Sequence, residues 1–173
     1  SLNKLSIDEN RIYLIGFSNG AFMSYRMALD HSDIIAAIAP IAGLGPLDSS
    51  KISLINPVSI LNIHATNDAG VPWQGAKKPG PWNTFYKDVP GVEENIKNWV
   101  TANNCTEKNV SLKALKIDSN SPDKETDIFN YKNTENGCEV ELWKVNGSEH
   151  NIFFTSEAKR RVVDWLLKHP KIK

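Results

Sequence analysis

The residues most able to do chemistry sit in one short stretch, "IYLIGFSNGAFM" at 12–23, where Ser18 lies between Gly16 and Gly20. A serine hydroxyl is a poor nucleophile alone; it needs a histidine base, and the base needs a carboxylate to hold its tautomer. Gly-x-Ser-x-Gly after an apolar run and before a helical pattern is the arrangement of a nucleophile elbow. The serine then stands on a very tight strand-to-helix turn, and glycines two residues to either side remove side chains that would crowd it. The following helix points its N-terminus at the serine, which favours developing negative charge, and the backbone N–H of Asn19 becomes a candidate oxyanion donor. The competing reading is a Gly-rich turn with an ordinary serine. The strand-like run before it and the helical pattern after it favour the elbow.

Four histidines are candidates for the base. His31 ends the helical stretch after the elbow, where a capping role suits it. His64 precedes the candidate acid and ends an apolar strand, as a structural, hydrogen-bonded histidine would. His169 falls in the terminal tail, where solvation is expected. His150, in "VNGSEHNIFF", follows the last strand on a Gly-containing loop and precedes the last helix. That is where the base belongs when the chain order is serine, acid, histidine. For the acid, Asp68 in "TNDAGVP" follows the strand "ILNIHA" and comes off the edge that also carries Ser18, where α/β sites gather. Its other reading is a turn-forming Asp after Asn67. Asp48 and Asp123 are weaker alternatives.

The elements that must position these residues follow from periodicity. "RIYLIGF" (11–17) reads as a short buried strand and "GAFMSYRMALDHS" (20–32) as a helix, with Ala21, Met23, Met27 and Ala28 at helical spacing. "IIAAIAPIAG" (34–43) and "VSILNIHA" (58–65) read as strands apolar on both faces. Residues 75–91 are loop-like. "EENIKNWVTANN" (93–104) is an amphipathic helix with acidic residues in its first turn. Residues 105–137 are polar and irregular, with one strand near 110–117. "EVELWKV" (139–145) alternates as a strand does, and 156–169 is a last helix with Val162, Val163, Leu166 and Leu167 inward. Strands alternating with helices predict one α/β domain over 1–173 with a parallel sheet.

The composition excludes several classes. Lys plus Arg and Asp plus Glu number 20 each, so nothing steers the chain toward nucleic acid or an anionic membrane. The longest apolar run contains Pro40 and is too short to span a bilayer. Two cysteines without clustered histidines make no zinc site. Cys105 and Cys138 are either two buried thiols or one disulfide; a bridge would stabilise by roughly 3–4 kcal/mol on the chain-entropy model.

With these segments in place, the chain resembles the secreted esterases of the polyhydroxybutyrate depolymerase and feruloyl esterase group in the α/β-hydrolase superfamily. The resemblance rests on "RIYLIGFSNGAFMSYRMALDHSDIIAAIAPIAG", "NIHATNDAGVPW" and "NGCEVELWKVNGSEHNI". It implies Ser18 as nucleophile, Asp68 as acid and His150 as base, a disulfide between Cys105 and Cys138, no cofactor, and export to a secreted or periplasmic location. The chain departs from the family pattern at Ala21, at Ala65 after His64, and at Asn151-Ile152 after His150.

A complete α/β-hydrolase carries several strands before the elbow, and one of their loops supplies the second oxyanion N–H. About ten residues precede the elbow strand here, so the chain reads as the C-terminal part of such a domain, with an apolar strand edge that could pair in a homodimer. The leading expectation is a serine carboxylesterase acting on feruloyl, acetyl or polyhydroxyalkanoate-type esters. Trp73 and Trp82 are candidates for an aromatic substrate wall. The alternatives are a peptidase of the same superfamily, or a non-catalytic hydrolase fragment without a full oxyanion hole.

Overall fold

A computed structural model describes residues 6–76, 89–121 and 126–172, without the side chains of 111–114. Among these residues six strands form one sheet, β1 (Tyr13–Phe17), β2 (Ala37–Ile41), β3 (Ser59–Ala65), β4 (Glu107–Leu115), β5 (Thr126–Lys132) and β6 (Glu139–Val145), in the order β1-β2-β3-β6-β5-β4. β1, β2, β3 and β6 run parallel, and β5 and β4 continue the sheet antiparallel. Among the described residues three α-helices cover it: α1 (Asn19–Asp30), α2 (Val92–Ala102) and α3 (Ser156–Leu167).

Alternation along the strands builds two cores. Ile38, Ile60, Val140 and Leu142 face α1 and α2, packing with Tyr25, Ile96 and Trp99. Ala37, Ala39, Leu61, Ile63 and Trp143 face α3, packing with Ala158, Val162, Trp165 and Leu166. β2 and β3 therefore bury both faces, which is why they read as unbroken apolar runs. A polar knot inside the first core joins three elements. Asn62 of β3 and Asn95 of α2 both donate to the Tyr25 hydroxyl, at 3.0 and 2.9 Å, while Asn95 Oδ1 accepts the Gly45 N–H at 2.9 Å. Burial pushes the Tyr25 phenol well above its ordinary pKa, so it stays neutral.

The structure corrects several sequence expectations. The described residues of 105–137 are not irregular; they hold the antiparallel pair β4–β5, whose polar composition hid it because one face is only half-buried. On α3 the inward residues are Ala158, Val162, Trp165 and Leu166, while Val163 and Leu167 are about half exposed. The i, i+4, i+7, i+8 stripe of α3 runs through the tryptophan rather than through every aliphatic residue. Met23 of α1 likewise faces solvent, and Ser24 and Tyr25 take the inner face. β1 is an edge strand among the described residues, with Ile15 and Phe17 exposed rather than buried.

His169 is not solvated. It is buried, its Nδ1 faces the Trp165 carbonyl at 2.7 Å, its Nε2 lies 3.3 Å from Glu139, and its ring stacks on Trp165 at 3.9 Å. The disulfide implied by the resemblance is also absent. Cys105 and Cys138 are neighbours but free buried thiols. The Cys105 thiol points at the carbonyls of Asn103 and Cys138, and Cys138 Sγ accepts from Ser59 Oγ at 3.6 Å, so each sulfur is satisfied without a bridge.

Candidate active site

β1 delivers its last residue, Phe17, straight into Ser18 and the start of α1. Ser18 adopts φ 52° and ψ −113°, a conformation that L-residues rarely hold and that marks a strained functional turn. The strain is maintained by its neighbours. The Ser18 N–H donates to the Ile41 carbonyl at 2.8 Å, and its own carbonyl accepts from Ala21 and Phe22. A Cβ on Gly16 would overlap the Gly20 carbonyl, so the glycine two residues before the serine is obligatory. Gly20 itself has open space where a Cβ would be, so its role is not the relief of crowding that the sequence suggested. The crowding lies at Gly43 instead, where a Cβ would come within 2.9 Å of the Ser18 carbonyl.

β3 and β6 are parallel neighbours, and the loops leaving their C-terminal ends are laced together. Thr66 N–H donates to the Val145 carbonyl at 3.0 Å, Asn67 N–H to the Ser148 carbonyl at 3.0 Å, and Gly147 N–H to Thr66 Oγ1 at 2.7 Å. Gly147 takes the left-handed conformation this turn needs, at φ 68°. The lacing brings Asp68 and His150 together although 82 residues separate them.

His150 Nδ1 lies 2.9 Å from each Asp68 oxygen, and His150 Nε2 lies 2.9 Å from Ser18 Oγ. With a carboxylate at Nδ1, the proton belongs on Nδ1, which leaves Nε2 to accept from the serine hydroxyl. The Asp68 side chain is fully buried, and its Oδ1 also accepts the Gly70 and Val71 N–H groups at 2.8 and 2.7 Å. These bonds fix the orientation of the carboxylate beside the histidine. His150 is about a quarter exposed, and the Phe17 ring lies against it at 5.1 Å.

His64 fills the space behind the acid. It is fully buried, its Nε2 faces the Val71 carbonyl at 2.8 Å and Asp68 at 3.5 Å, and burial holds its pKa below the ordinary histidine value. A neutral His64 donating from Nε2 closes the 64–71 loop, the structural role its position suggested. His31 ends α1 with its N–H on the Met27 carbonyl, also as expected. Asp48 instead caps the short 3₁₀ turn Ser49–Lys51, and Asp123 lies outside the described residues.

Asn19 is the first residue of α1, so its backbone amide is among those at the helix N-terminus beside Ser18. Trp73 is mostly buried behind the acid loop, edge-on to His64 at 6.0 Å. Trp82 lies outside the described residues. Sequence reasoning missed Phe17 as a wall against the base and Gly70, where a Cβ would sit 3.1 Å from the His150 ring. Neither has a local signal, because both contacts join residues far apart in the chain.

Residues 1–89 match the sequence profile of the family described as Phospholipase/Carboxylesterase. The chain belongs to this family. It is 31% identical to feruloyl esterase B of Piromyces equi over 154 residues, which cover 86% of this chain and 26% of that protein. It is 54% identical over 41 residues to poly(3-hydroxyalkanoate) depolymerase C of Paucimonas lemoignei, covering 24% of this chain and 10% of that protein. These relatives bear out the resemblance read from the sequence, and the chain spans about a quarter or less of their length. A thermostable esterase of known structure superposes with a TM-score of 0.56 at 17% identity, covering 98% of this chain and 34% of that one. The mostly parallel sheet, with helices on both faces, is an α/β-hydrolase fold. Among the described residues no helix is long and apolar enough to cross a membrane.

Proposed function

We propose that this chain carries the catalytic triad of a serine carboxylic-ester hydrolase, with Ser18 as nucleophile, His150 as base and Asp68 as the orienting acid. The unbroken line of hydrogen bonds from Asp68 through His150 to Ser18 is the observation that supports this most. In this reading Ser18 Oγ attacks the ester carbonyl carbon while its proton passes to His150 Nε2. Asp68 holds the Nδ1 proton and balances the imidazolium. The carbonyl electron pair moves onto oxygen, and the oxyanion is received by the Asn19 backbone N–H at the start of α1. On collapse, His150 gives its proton to the departing alkoxide and an acyl ester remains on Ser18. Water then attacks the acyl carbon, His150 takes the water's proton, and the acid leaves as Ser18 recovers its hydrogen. The cycle draws on Ser18, His150, Asp68, the Asn19 backbone N–H and water.

For substrates we assign esters of the feruloyl, acetyl or hydroxyalkanoate type, on the strength of the feruloyl esterase and polyhydroxyalkanoate depolymerase among its relatives. An exported location rests on the sequence resemblance alone; the two free thiols do not argue for it. The test is the intact mass of the folded chain after exposure to a fluorophosphonate. One adduct that vanishes in Ser18→Ala is expected. Folded protein with no adduct would overturn the proposal that this chain assembles the chemistry by itself. Turnover of aminoacyl anilides without turnover of p-nitrophenyl esters would move the reading to a peptidase.

A further inference from the structure

A cavity of about 380 Å³ opens on the α2 side of the sheet behind the acid loop. That volume lies in the range of small-molecule sites. No residue of the triad lines it. Its floor is apolar: Ile96 from α2, Phe129 from β5 and Leu142 from β6, the last two directly paired across the strands. Two aromatic rings, Trp73 and Tyr131, form its walls.

The rim carries the opposite character. Lys97, Lys108 and Lys144 stand around the opening against one carboxylate, Glu93. Among the described residues none of the three lysines has a carboxylate within 4.0 Å. Two of them are held over the walls instead, Lys108 Nζ at 5.7 Å from the Tyr131 ring centre and Lys144 Nζ at 5.5 Å from that of Trp73. An ammonium over a ring keeps its donors turned outward and its charge only partly compensated. In a chain of zero net charge, three ammoniums against one carboxylate around an aromatic pocket form a local surplus of positive charge.

We propose that this cavity binds a small aromatic carboxylate, its flat body between Trp73 and Tyr131 and its carboxylate at the lysine rim. The apolar floor excludes a highly hydrated inorganic anion, and the rim disfavours a cation. The site stands apart from the esterase reading, because its walls and charges come from other residues.

The test titrates 2-naphthoate into the Ser18→Ala chain, with 2-naphthalenemethanol as the neutral match and 2-naphthylmethylammonium as the cationic one. Nuclear magnetic resonance follows the Trp73 indole and Leu142 methyl signals. Saturable shifts there with naphthoate are expected, with the alcohol at least about tenfold weaker, as loss of a charge-assisted hydrogen bond implies. Lys108→Gln with Lys144→Gln weakens naphthoate by a similar factor while leaving the alcohol unchanged. Lys97→Gln, on the exposed face of α2, gives a smaller loss and serves as a second variant. Equal binding of acid and alcohol, shifts confined to the surroundings of Ser18 and His150, or indifference to the lysine substitutions would each overturn the proposal. Fluorophosphonate labelling of the same lysine substitutions made in the chain that keeps Ser18 separates this outcome from failure of the esterase reading.

Discussion

Among the histidine–carboxylate contacts of the described residues, two lie at opposite ends of the same strands. Asp68 and His150 stand beyond the C-terminal ends of β3 and β6, while Glu139 opens β6 at its N-terminal end and meets His169. In the first pair the second ring nitrogen faces a serine held in a strained turn. In the second, the other ring nitrogen is taken by the Trp165 carbonyl and the ring is buried against Trp165. A histidine beside a carboxylate therefore faces a serine hydroxyl at one end and forms a buried brace at the other. A histidine and a carboxylate in contact do not define a site; the partner of the remaining nitrogen and its access to solvent do.

The comparison can be broken most severely at the base. His150→Ala should lower kcat by about 10⁶, because removing the base leaves the serine unactivated. His169→Ala should leave kcat unchanged and lower Tm. Ester turnover and thermal melts on both variants measure this directly; equal loss of kcat would erase the distinction. Next in size, Asp68→Asn should lower kcat by about 10⁴ by favouring the wrong histidine tautomer, whereas Glu139→Gln should not touch turnover.

A subtler lever is Gly70→Ala, which adds a methyl at 3.1 Å from the His150 ring. A displacement of a few tenths of an ångström should lower kcat by about tenfold with little change in KM, since positioning errors act on the transition state. Steady-state kinetics separate the two constants, and an unchanged kcat would show that the acid loop has room to give.

The smallest effect concerns pH. The hydrogen bond from His169, with Asn130 and Lys132 adding to it, lowers the Glu139 carboxyl to about 2. Its pKa is depressed on folding from an ordinary value of 4.5, so its contribution to stability is fully present above 4.5. That contribution is lost as pH falls toward about 2. Glu139→Gln should flatten the part of the Tm-against-pH curve between those values. A curve of unchanged shape would mean that the brace acts by packing and not by charge.

Much of the candidate site was legible because its signals are local. Gly16-Phe17-Ser18-Asn19-Gly20 sits between an apolar run and a helical pattern, and Asp68 and His150 each follow an apolar or alternating strand. What stayed hidden depends on contacts between distant segments. Phe17 meets His150 across the sheet edge, and Gly70 approaches the same ring from the acid loop. The antiparallel pair β4–β5 escaped because a half-exposed strand of polar residues has little apolar contrast to read.

By itself the sequence determined the order of elements around the elbow, the α/β class, and which serine, acid and histidine could meet, because backbone strain, periodicity and chain order are local properties. Tertiary structure alone decided that His169 is a buried brace and that the cysteines remain thiols. It also decided that a lysine-rimmed aromatic cavity lies behind Trp73. The physical reason is common to all three. Burial, hydrogen-bond partners and charge balance are set by residues that come together only when β6 slides between β3 and β5.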